Sequence, residues 1–149
     1  MKVRTLLVSS AFILAALIAG GAAAQEASAE ADAAARLFLP VPGKAVIYLI
    51  RDFGDLWTGS VKITLDGRDM GVTKRNTYMR WEVEPGEHTL VSYTSLPASL
   101  QLKTEPGGLY YVWQDINAGN LRSPSALRIV DQTTTRQTLS SAHLLKSPQ

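Results

Sequence analysis

His88, His143 and two groups of acids are the side chains of this 149-residue chain whose types and spacing invite a chemical reading. His88 follows the turn Glu84-Pro85-Gly86-Glu87 and reads as a structural histidine bonding the turn backbone, with a ligand or general-base role as the alternative. His143 falls in the C-terminal tail and is given no ligand or catalytic role. The two histidines do not share helical spacing and no H-E-x-x-H occurs, so a zinc hydrolase site has no support. The serines lie in loops and the tail without a G-x-S-x-G elbow, and Gly107-Gly108 lacks the helix and lysine of a phosphate cradle. Asp52 with Asp55, and Glu82 with Glu84 and Glu87, carry the carboxylate chemistry of calcium sites and of paired acid–base catalysts. Acids in such stretches are also ordinary solvated turn formers. Phe53 and Trp57 share a loop with Asp52, Asp55 and Gly59. Loop aromatics on a rigid scaffold stack on sugar rings or anchor a protein partner; the alternative is that they plug an open end of the core. Phe53, Trp57, Asp52 and Asp55 are therefore the candidate contact residues. No catalytic, cofactor-binding or metal-ligating residue is assigned.

The elements that must position these residues read as strands. Lys44 to Arg51 is a nearly continuous β-branched and apolar run, expected to be a central strand covered on both faces. Asp66-Gly67 between alternating runs is a strong hairpin signal, since the favoured two-residue turn needs positive φ at both positions. Its register sets Leu65 opposite Arg68, Ile63 opposite Met70 and Val61 opposite Val72. Two Glu-Pro-Gly turns, at Glu84 and Glu105, predict further hairpins. In the first, Val83 faces His88 and Trp81 faces Leu90; in the second, Leu100 faces Trp113 and Leu102 faces Tyr111. Met79, Trp81, Val83 and Leu90 share a core face. Ala126 to Asp131 gives a last strand with Leu127 and Ile129 inward. Thr133 or Thr134 then caps a short helix carrying Leu139, Ala142 and Leu145. The sum is an antiparallel β-sandwich of about seven strands with a short C-terminal helix.

The N-terminus has a basic head at Lys2 and Arg4, an apolar run from Leu6 to Ile18, and small residues at Ala22 and Ala24. These are the three parts of a secretory signal peptide over 1–24, placing the product in the periplasm or outside the cell. Ala27-Ser28-Ala29 offers a second cleavage point, and an uncleaved membrane anchor is the competing reading. Residues 25–42 are rich in Ala and Glu with few large apolar groups, so they read as a flexible tether, and 43–145 as the sandwich domain. Of 15 basic residues, Lys2 and Arg4 lie in 1–24, leaving 13 against 13 acidic ones. A neutral remainder gives no charge argument for nucleic acid. With no cysteine there is no disulfide, no thiolate site and no lipid anchor of the cysteine-linked kind.

Gly43-Lys44-Ala45, Asp66-Gly67 with Gly71, Tyr78, Val83-Glu84-Pro85-Gly86-Glu87-His88-Thr89-Leu90 and Pro106-Gly107-Gly108-Leu109-Tyr110-Tyr111-Val112 together carry a resemblance. Over about Gly43 to Asp131 the chain resembles small bacterial envelope domains of unknown function, similar in pattern to PEGA-type surface-layer β-domains. Many of those look like lipoproteins, from which this chain departs by lacking cysteine. The resemblance implies a small sandwich, an envelope location, no established activity and no catalytic residue to carry over. The expected function is a non-enzymatic exported binding or structural module, with an envelope protein or a glycan as partner. A glycan- or peptidoglycan-binding module is the alternative, and a hydrolase using Asp52/Asp55 or His88 is a further one.

Overall fold

The computed structural model describes residues 24–52, 54, 58–117 and 124–147. Among these residues nine strands build two sheets. The chain runs α1 (Ala29–Ala35), β1 (Ala45–Arg51), β2 (Val61–Leu65), β3 (Arg68–Thr73), β4 (Thr77–Val83), β5 (Gly86–Tyr93), β6 (Ala98–Thr104), β7 (Leu109–Ile116), β8 (Ser125–Val130), α2 (Gln132–Thr138) and β9 (His143–Leu144). One sheet has the order β8-β7-β1-β4-β9 and the other β3-β2-β5-β6. Over the described residues the architecture is a mainly β sandwich with two short helices. Every residue of β1 is buried, as its unbroken apolar run requires at the centre of a sheet covered on both faces.

The two-sidedness of β1 sorts the core. Ile47 and Leu49 point between the sheets, where they meet Ile63, Met79, Trp81, Leu90 and Val112. Val46, Tyr48 and Ile50 point the other way and are covered by Ala35 of α1, Phe38, and Leu139 and Ala142 from the chain after α2. Tyr48 stacks there with Phe38, Tyr78 and Tyr111, with ring centroids 5.2, 6.5 and 5.4 Å away. The shared core face of Met79, Trp81, Val83 and Leu90 holds as the alternation predicts.

Several pairings differ from the sequence expectation. The Asp66-Gly67 hairpin forms with Leu65 opposite Arg68, but the ladder then slips so that Gly71 faces Ile63 and Thr73 faces Val61. A β-bulge causes the slip: Asp69 Oδ1 accepts from the Gly71 N–H at 2.8 Å, and Gly71 takes φ 95°. One extra residue flips the face of everything after it, so Thr73, not Val72, enters the interior. Neither Glu-Pro-Gly turn closes a hairpin. Both carry the chain from one sheet to the other, β4 to β5 and β6 to β7. As a result β5 pairs with β2 and β6, while β7 lies parallel to β1. The sandwich is thus antiparallel except for β1–β7 and β4–β9. In β8 Leu127 packs on the core, but Ile129 is 61% exposed at the sheet edge. The C-terminal helix starts earlier than expected, with Asp131 as N-cap accepting from Thr134 N at 2.8 Å. Leu139, Ala142 and Leu145 are buried just beyond it rather than on it.

The stretch expected to be a tether contains a docked helix. Ser28 caps α1 by accepting from Ala31 N, and its alanines suit a helix interior. Composition shows few large apolar groups here, but the anchoring groups lie elsewhere in the chain. Tyr78 OH donates to Asp32 Oδ1 at 2.6 Å, Tyr48 OH to Ala35 O at 2.7 Å, and Arg36 to the carbonyls of Leu139 and Ala142. Further upstream, Ala27 N donates to Leu144 O and Lys146 N to Gln25 O. The signal-peptide reading falls on residues 1–24, of which all but Ala24 lie outside the described residues.

Candidate binding cleft

An open cleft of about 990 Å³ lies at one end of the sandwich. Its wall on one side is the tip of the β2–β3 hairpin, contributing Leu65, Asp66, Arg68 and Met70. Opposite stand Arg80 to Glu84 of β4 and the corner that follows, with Lys44 and Ser147 completing the rim. Leu65 and Trp81 are buried in its floor, and Trp81 Nε1 donates to Ser147 Oγ at 2.7 Å, which fixes the indole edge.

Backbone geometry places these groups. Asp66 takes φ 52° and Gly67 φ 78°, the left-handed pair that the two-residue turn demands. Asp66 then reaches across to β5: its N–H donates to Thr89 O at 2.9 Å, and its Oδ1 accepts from Thr89 N at 2.8 Å. Its other oxygen, Oδ2, lies 2.7 Å from His88 Nδ1. His88 Nε2 lies 2.7 Å from the Glu84 carbonyl oxygen. A carbonyl only accepts, so Nε2 carries a proton; an ionised carboxylate only accepts, so Nδ1 carries one as well. Both ring nitrogens of His88 are thus engaged by acceptor oxygens, an arrangement that the imidazolium satisfies in full. Partial burial pulls its pKa down, but the Asp66 hydrogen bond, the Glu84 carbonyl and the Asp66 charge more than reverse this, leaving it raised. Burial likewise pushes the Asp66 carboxyl up, and the His88 and Thr89 hydrogen bonds outweigh it, leaving Asp66 lowered.

The remaining charges of the cleft pair off in the same way. Lys44 Nζ meets Glu84 Oε1, and Arg80 meets Glu82 at 2.8 Å. Each carboxylate facing the cleft thus has one cation, and Arg68 stands over, with no ion-pair or hydrogen-bond partner among the described residues. The described residues hold no group of three His, Cys, Asp or Glu side chains arranged for a metal.

Of the residues expected from sequence to make contacts, Asp52 directly follows β1 and is half-buried, its carbonyl accepting from Asn76 N at 3.4 Å. Phe53, Asp55 and Trp57 lie outside the described residues. His143 is exposed on β9 and its backbone N–H bonds Asn76 O at 3.0 Å. The end of the sandwich where Asp52 sits is closed inside by a polar layer. Arg51 Nη1 donates to Gly59 O at 2.8 Å, Thr73 Oγ1 to Gln114 Oε1 at 2.7 Å, and Gln114 Nε2 to Ser92 Oγ at 2.7 Å. Arg51, Thr73, Gln114 and Ser92 are fully buried.

The cleft was not visible in the sequence, although the bonding of His88 to turn backbone matches the structural reading of that residue. Asp66 read as a turn former, and nothing in the linear pattern joined it to His88. That juxtaposition depends on β5 pairing with β2, with Leu65 opposite Leu90. Neither a scan against protein-family models nor a search of curated proteins finds a match to the chain.

Proposed function

We propose that the protein is an exported, non-enzymatic binding module that receives an anionic group of an envelope protein in the hairpin-tip cleft. The observation that carries this reading is the charge pairing. Three carboxylates are each held by a cation of the protein, and Arg68 is left over above a floor of Leu65 and Trp81. A carboxylate or phosphate seated on Arg68 would complete the set, with the apolar part of the partner against the floor. The commitment of both His88 nitrogens favours binding over catalysis, because neither is available to take a proton from a substrate. The motifs that carry the PEGA-like resemblance, Asp66-Gly67 and Glu84 to His88, are those that shape the cleft, which fits an envelope role. The basic, apolar and small-residue parts of 1–24 support export.

The test is photo-crosslinking in cells, with a benzophenone side chain at Met70. The reading expects protein adducts in the exported fraction, reduced about tenfold by Arg68→Glu, since like charges across an interface are strongly unfavourable. Adducts that ignore Arg68→Glu would overturn it. A carbohydrate adduct would replace it with the glycan reading.

A further inference from the structure

We propose that His88 is a proton-operated clasp that holds the hairpin tip against the β4–β5 corner and so sets the shape of the cleft. Two pieces of backbone that are not hydrogen-bonded to each other meet at this ring. One is the Asp66-Gly67 tip of the four-stranded sheet; the other is Glu84, where the chain leaves the five-stranded sheet. The bridge needs two N–H donors on opposite sides of a rigid ring, and only the imidazolium has both. A neutral imidazole keeps one. The other nitrogen would then point a lone pair at an oxygen 2.7 Å away, either the Asp66 carboxylate or the Glu84 carbonyl. Loss of a single proton therefore converts one of the two ties from attraction to repulsion.

The surroundings select this ring for the role. Glu82 and Glu84, the other carboxylates of the cleft, are engaged by Arg80 and Lys44, which leaves Asp66 for the imidazolium. Arg68 on the hairpin is a like charge facing the same space. On its own strand His88 is flanked by Glu87, and Lys103 lies across from Glu87 on β6. The ring itself is only 11% exposed, so solvent does not readily supply the lost partner. Asp66 Oδ1 is separately tied to Thr89 N, so the carboxylate cannot simply turn away.

The sign follows from the two shifts. The raised His88 contributes fully below its unfolded pKa of about 6.5, and the contribution is lost as pH rises through the folded value. The lowered Asp66 contributes above about 3.9, and this is lost as pH falls through its folded value. The clasp is closed between them and opens on the alkaline side. The inference rests on the proposed binding role only where it concerns partner entry; the clasp itself is tested on the protein alone.

The experiment is nitrogen-edited NMR of the folded protein from pH 5 to 9. Below the transition both His88 ring nitrogens should carry protons. The ring should titrate above pH 6.5, and the amides of Asp66, Gly67, Glu84 and Thr89 should shift with the same midpoint. Asp66→Asn should bring that midpoint down by about one unit or more, and His88→Gln should abolish the linked amide transition. A ring with one proton at pH 6 would overturn the clasp. So would tip and corner amides that stay still while the ring titrates. If His88→Gln does not fold, Asp66→Asn carries the test alone.

Discussion

Asp32→Ala asks whether α1 is part of the domain. The carboxylate joins three segments: Oδ1 accepts from Tyr78 OH at 2.6 Å and from Leu144 N at 3.1 Å, and Oδ2 from Arg36 Nε of its own helix end at 2.7 Å. The Arg36 contact is an i,i+4 pair with side chains about a quarter exposed, worth about 0.3–0.5 kcal/mol. The Tyr78 contact dominates. Its residue is fully buried, and losing a charged acceptor costs about 1.5–3 kcal/mol. The Leu144 N–H adds about 1 kcal/mol, less whatever water recovers at a site that is not sealed. The substitution should therefore cost about 2–4 kcal/mol. With a urea slope of about 1.5 kcal/mol/M for a domain of this size, the unfolding midpoint drops by roughly 1.5–2.5 M. Asp32→Asn keeps an acceptor oxygen and should cost about half as much. Partial burial pushes the Asp32 carboxyl up, but Arg36, Tyr78 and Leu144 N outweigh it and hold it below its ordinary range. Its contribution is thus present above about pH 3.9 and fades as pH falls through the lowered folded value, so the gap between wild type and Asp32→Ala narrows in acid. A cost of Asp32→Ala below about 0.5 kcal/mol at pH 7 would refute the docking argument and return residues 25–42 to a tether.

Three further outcomes follow. Leu90→Ala, at a fully buried position between the sheets, should cost about 2–5 kcal/mol in the same urea assay. Thr73→Val keeps the shape of a buried residue but leaves Gln114 Oε1 without its donor, and should cost about 1–3 kcal/mol; a neutral result would mean that the polar layer is slack. Protein recovered from the exported fraction should begin at Gln25 by intact mass, because cleavage after Ala29 removes the Gln25–Lys146 and Ala27–Leu144 hydrogen bonds and the Ser28 cap.

What was legible in the sequence is what alternation and turn chemistry encode locally. The burial of β1 follows from its unbroken apolar run, and the Asp66-Gly67 tip from its need for positive φ. Local patterns do not encode which strand a turn delivers the chain to. A Pro-Gly turn fits a hairpin and a sheet-to-sheet corner equally well, and the choice between them is made by long-range pairing of β5 with β2 and of β7 with β1. The cleft inherits that difficulty, since Asp66 and His88 belong to one constellation only after β5 has left β4. The bulge at Asp69–Gly71 was hidden for a similar reason: Met70 and Val72 have the right spacing for a regular strand, and only the Asp69 side chain binding its own backbone breaks the register. Docking of α1 escaped a composition argument because the tyrosines, carbonyls and N–H group that hold it lie 13 to 112 residues away in the chain.

The way α1 is held also sets an order of assembly. Arg36 needs the carbonyls of Leu139 and Ala142, Asp32 needs the Leu144 N–H, and Ala27 needs Leu144 O. None of these acceptors and donors exists until the final part of the chain has been made. An isolated seven-residue helix is too short to persist in water, so α1 is expected to form only once the strands behind it supply its partners. Among the described elements α1, the first in order, is therefore expected to be among the last to fold. A truncation after Val130 that kept all of β1 to β8 would leave it only the Tyr48 and Tyr78 contacts, and the N-terminal segment should then be more open to proteases than in the full chain.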